Sequence, residues 1–105
     1  MTQRKSPAEI ATMAELRTHI DAVDRELVAL LARRERLTDR APALKPAEGI
    51  AARAPRRINE VLDNVRQEAL RQGLDPALAE RIWRDMIETV IAREEREIGT
   101  GGRDG

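Results

Sequence analysis

The chain has no cysteine, no phenylalanine and no tyrosine, one tryptophan, Trp83, and one histidine, His19. Without thiols there is no disulfide framework and no thiolate metal site. A lone histidine cannot build an imidazole metal cluster. An excess of either charge is also missing, because 19 Lys plus Arg face 19 Asp plus Glu. No long-range field therefore draws the chain to nucleic acid or anionic lipid, and any functional cation must act locally. No window approaches the ~20 apolar residues of a membrane span. The opening stretch MTQRKSPAEIATM lacks the apolar core of a signal peptide. These absences predict a soluble cytoplasmic protein without metal, nucleic acid or membrane as partner.

What remains is Leu, Ile, Val, Ala and Met, a palette that suits helices and supplies few strand formers. A length of 105 residues is one domain. So short a chain buries a modest fraction of its surface alone, which favours a core shared with a second copy. Residues 1–7 are expected to be a flexible leader, 8–98 the helical domain, and the Gly-rich GTGGRDG at 99–105 a disordered tail.

Three periodic segments fill the domain. The first, from Pro7 to Lys45, carries Met13, Leu16, Ile20, Val23, Leu27, Leu30, Leu37, Ala41 and Leu44 at alternating steps of three and four, the stripe of a long amphipathic helix facing other helices. Pro42 should kink or end it near its last turn. Two prolines and a glycine make 46–55 a loop. A second helix runs from Pro55 to Gln72 on Ile58, Val61, Leu62, Val65 and Ala69, and Gly73 stops it. Asp75-Pro76 opens a third, which ends near Glu97. The expected fold is all-α, with one long and two shorter helices.

Arg34 interrupts the apolar stripe of the first helix, and a guanidinium there requires an anionic partner. Lys45 follows eleven residues later, on the same face of a continuous helix and roughly 16 Å along its axis. Two long side chains could grip one small anion between them. Arg17 lies roughly 25 Å before Arg34 on that axis, so it can share the site only from a second chain. Arg57 opens the second helix near its apolar face, and Glu94 sits on the apolar face of the third. Desolvation of a carboxylate there favours its neutral, hydrogen-donating form. Structural alternatives stand beside each: an acid on a neighbouring helix for Arg34, the helix dipole for Lys45, Asp21 or Asp24 for Arg17, and a solvated tail for Glu94. On residues alone, the chain is a helical dimer with an anion site.

The run LRTHIDAVDRELVALLARRERL, Leu16 to Leu37, resembles the first helix of the all-helical chorismate mutases. The pattern LR–x2–ID–x–(I/V)D–x2–L–x2–LL–x2–R is followed by a lysine eleven residues on. Arg57, GLDP at 73–76 and IWRDMIETVIAREE at 82–95 continue the likeness over residues 13–96. The resemblance implies an intertwined homodimer that converts chorismate to prephenate by a pericyclic rearrangement without cofactor. It implies that Arg34 and the second chain's Arg17 bind the two substrate carboxylates, with Arg57 also in the substrate site. Lys45 would donate to the ether oxygen, where Glu94 replaces a glutamine common in the family. A glutamate donates only when protonated, so activity should decline as pH rises.

Three positions that line the family's pocket with polar groups for the ring hydroxyl are apolar here: Ala54, Ile58 and Val90. APRRI at 54–58 resembles the helix-two motif of isochorismate-pyruvate lyases, which form salicylate on the same scaffold. Aminodeoxychorismate mutase is a further alternative, and a non-catalytic helical regulatory or interaction module is an alternative of another class.

Overall fold

A computed structural model describes residues 5–104; residues 1–4 of the expected leader and residue 105 of the expected tail lie outside the described residues. The described residues are helical apart from turns and one isolated backbone bridge. The helices are α1 (Met13–Thr38), α2 (Ala41–Glu48), α3 (Pro55–Gln72) and α4 (Pro76–Ile98), preceded by a single 3-10 turn at Pro7–Glu9. The chain divides into two units, Met1–Leu37 and Thr38–Gly105.

In the first unit, Thr12 starts α1 by accepting the Glu15 N–H on its side-chain oxygen at 3.1 Å. Lys5 pairs with Glu15, so the turn at Pro7–Glu9 is tied to the start of α1. No residue of α1 is buried. Its stripe residues Ile20, Val23, Leu27, Leu30 and Leu37 are all exposed.

The expected helix to Lys45 is not continuous. The chain turns at Asp39–Arg40 and starts again as α2, with the Ala43 N–H reaching the Arg40 carbonyl at 3.3 Å. Pro42 supplies the cause: it has no N–H for the Thr38 carbonyl, and its ring crowds that carbonyl. The expected loop from 46 begins later, because α2 continues through Pro46 to Glu48. Pro46 costs this helix one internal bond, and Gly49, at φ 71°, ends it.

The core of the second unit is Leu62, Ile87 and Ile91, with Ile58, Val61 and Trp83 packed against it. Ala69 and Ala79 are buried where α3 and α4 pack. Gly73 adopts φ 76° to close α3, Leu74 donates to the Ala69 carbonyl at 2.8 Å, and Asp75 caps α4 by accepting the Ala77 N–H at 3.0 Å. Arg66 on α3 ion-pairs with Glu80 on α4.

The tail expected to be disordered is docked. Arg103 pairs with Ile50 as a parallel bridge: Ala51 N–H donates to the Arg103 carbonyl and Arg103 N–H to the Gly49 carbonyl, each at 2.8 Å. Its glycines lower local order in isolation, but the Ala51 N–H and the Gly49 carbonyl give Arg103 its hydrogen-bonding partners. No helix among the described residues is long and apolar enough to cross a membrane.

Candidate active site

α2 is short, but it carries Lys45, one of the candidate cations. Lys45 sits in its last turn, and the helix places the side chain beside α4. The Lys45 ammonium donates to the Ala52 carbonyl at 2.8 Å and lies 2.9 Å from Glu94 Oε1. Glu94 is buried, with 4% of its surface exposed. Its Oε1 accepts no directed hydrogen bond, so the contact with Lys45 is an ion pair of close charges without hydrogen-bond alignment. A buried carboxylate oxygen left in this state has acceptor capacity to spare. Of the three ammonium donors, the Ala52 carbonyl takes one. The pair therefore retains both donor and acceptor capacity at one buried point.

A cavity of about 430 Å³ opens beside Glu94. Asp39 and Pro42 line one side, and Val90, Arg93 and Glu97 of α4 line another. That volume suits a small-molecule ligand. The break in the first helix is thus part of the site, since Pro42 is in the cavity wall.

The other candidates are distributed differently. Ala54 is buried at the N-cap of α3 and has no side-chain oxygen with which to cap it. Ile58 packs against the Leu62–Ile87–Ile91 core. Arg57 is exposed on the first turn of α3 and pairs with Glu60. Val90 lines the cavity next to Glu94. Arg17 and Arg34 belong to α1 in the first unit, Arg17 exposed and Arg34 half-buried. The structure joins Lys45 with Glu94, and Val90 shares the cavity wall with Glu94. It places Ile58 in the core and Arg57 on the surface of this chain.

The loop 49–54 holds groups that sequence reasoning missed. Arg53 forms a two-pronged pair with Glu88 on α4, at 2.9 and 2.6 Å. This hydrogen-bonded pairing holds the Glu88 carboxyl below its ordinary value and the Arg53 guanidinium above its own. The Ala52 carbonyl is a backbone group with no side-chain signature, and Arg53 and Glu88 are 35 residues apart. No periodicity links them. Among the described residues, no cluster of three or more His, Asp or Glu has the arrangement of a metal site.

The family model described as chorismate mutase type II matches residues 16–95. The chain is 34% identical over 95 residues to a T-protein of Enterobacter agglomerans, an alignment covering 90% of this chain and 23% of the relative. It is 33% identical over 82 residues to a T-protein of Haemophilus influenzae, covering 78% of this chain and 22% of the relative. The chain thus spans less than a quarter of the length of these curated relatives. No solved structure matches it at the same stringency.

Proposed function

Because the chain belongs to the chorismate mutase type II family, we propose that it is a soluble, cytoplasmic, homodimeric chorismate mutase that rearranges chorismate to prephenate. The single observation that carries this reading is the close pairing of half-buried Lys45 with buried Glu94, which lines a cavity of ligand size. An intramolecular rearrangement needs no nucleophile and no redox group. It needs the reactive conformer held and the negative charge that grows on the ether oxygen stabilised. A desolvated ammonium does the second task far better than one in water.

In this mechanism Lys45 donates a hydrogen bond to the ether oxygen. Glu94, when protonated, donates a second; as a carboxylate it can only accept. The carboxylates are assigned to Arg34 and to Arg17 of the partner subunit, whose guanidinium forks match carboxylate geometry. Arg57 adds a further cation. These arginine assignments rest on their positions in the sequence motif. The exposed α1 stripe supports the dimer, since Ile20, Val23, Leu27, Leu30 and Leu37 form an apolar face suited to a second helix.

The test is to give the purified protein chorismate and, separately, isochorismate, and to identify the products. Prephenate from chorismate is the expected outcome. Pyruvate and salicylate from isochorismate, with chorismate untouched, would replace the mutase by a lyase. Loss of neither substrate would leave a helical binding module.

A further inference from the structure

The Lys45 ammonium is held on one side by a loop carbonyl, that of Ala52, so the position of the cation depends on the position of residues 49–54. That loop has no regular structure apart from the isolated bridge at Ile50. Its N-terminal half is fixed by the chain end. The Arg103 carbonyl and N–H pair with Ala51 and Gly49, and the Arg103 guanidinium donates to the Glu48 carbonyl at 3.2 Å, at the end of the helix bearing Lys45. Its C-terminal half runs into α3, where Ala54 offers no cap. Asp104 supplies that cap from 48 residues away, its carboxylate accepting the Arg56 N–H at 3.1 Å. Gly102 makes the approach possible. It sits at φ 115°, and a Cβ there would meet the Ala51 nitrogen at 2.6 Å and the Ile50 carbonyl carbon at 2.8 Å, both backbone atoms that cannot swing aside.

We propose that residues 99–104 form a positioning strap: Gly102, Arg103 and Asp104 clamp the 49–54 loop so that the Ala52 carbonyl holds Lys45 against Glu94. Neither Arg103 nor Asp104 touches the reacting atoms. They act through the loop, on a cation whose useful position is narrow. The consequence for turnover rests on the chorismate mutase reading, whereas the positioning of Lys45 does not.

The experiment compares the full chain with Gly102→Ala, Asp104→Ala and Asp104→Asn. Three readouts are taken: amide exchange at Ala51 and Arg56, the 15N resonance of the Lys45 ammonium, and kcat and KM for chorismate. Gly102→Ala and Asp104→Ala should speed exchange at both amides, shift the Lys45 resonance, and lower kcat about tenfold or more with a smaller change in KM. Asp104→Asn, whose side chain caps a helix equally well, should behave as the parent. Accelerated exchange with an unmoved Lys45 resonance would overturn the strap, and so would unchanged exchange in Gly102→Ala. If the parent converts no chorismate, the mutase reading fails, and the Lys45 resonance still decides whether the strap positions that residue.

Discussion

α1 and the α3–α4 pair have apolar residues at the same spacings of three and four, yet they end in opposite states. The pair buries Leu62, Ala69, Ala79, Ile87 and Ile91, and even a carboxylate, Glu94. The longer α1 buries nothing. An amphipathic stripe states that a face will be covered and leaves open by what. Within the chain, α3 and α4 cover each other. The exposed α1 stripe is the face that the proposed homodimer would bury, and the two arginines of α1 are those that the proposed mechanism assigns to carboxylate binding.

The largest expected effect is on chemistry. Lys45→Ala removes the donor for the ether oxygen and leaves Glu94 buried without its cation. Turnover should fall by about 10²–10³-fold or more, measured as chorismate consumption, while the helical circular-dichroism spectrum is kept. A variant with near-parent kcat would break the assignment.

The next two substitutions set the regions against each other. Leu27→Glu on exposed α1 should weaken self-association by about 1.5–3 kcal/mol per chain, seen as a shift from dimer to monomer in sedimentation. Leu62→Ala in the α3–α4 core, where the parent side chain is 1% exposed, should cost about 2–5 kcal/mol of stability, seen as a lower unfolding midpoint at every protein concentration. If Leu27→Glu left the dimer intact, α1 would not be the face that joins two copies.

A smaller effect is expected at Glu94. Glu94→Gln supplies an amide N–H where a carboxylate can only accept, so kcat for chorismate should be kept or rise. A kcat well below the parent's would show that donation from residue 94 does not assist the reaction.

The smallest concerns the loop. The Glu88 carboxyl is held below 4.5 by Arg53, so the ion pair contributes fully above that value and is lost as pH falls through the lower, folded value. Both partners are exposed, and the contribution to stability is small. Protection of the amides in residues 49–54, measured against their intrinsic exchange rates, should fall on acidification below pH 4.5 in the parent, and Glu88→Gln should show the lower protection already at neutral pH.

The candidate site was partly visible from spacing. Lys45 stood out for its eleven-residue spacing from Arg34 and Glu94 for its place on an apolar face, and the structure makes the two partners of each other. Ile58 is the opposite case: one residue from Arg57, it faces the core, because its neighbours on the stripe are Val61 and Leu62. The Gly-rich end misled for a related reason. Composition describes the freedom of an isolated segment, and nothing in GTGGRDG encodes the Ala51 N–H and the Gly49 carbonyl that Arg103 meets.

The sequence by itself determined the helical class, the limits of α3 and α4, the site of the break near Pro42 and the family to which the chain belongs. Each of these depends on local bonding, turn chemistry or a periodic stripe, and so is written in neighbouring residues. Only tertiary structure decided that Lys45 meets Glu94, that the Ala52 carbonyl steadies it, and that Asp104 caps α3 through the N–H of Arg56, 48 residues earlier. Those contacts depend on through-space distance between segments far apart in the chain, and no pattern of neighbours specifies it.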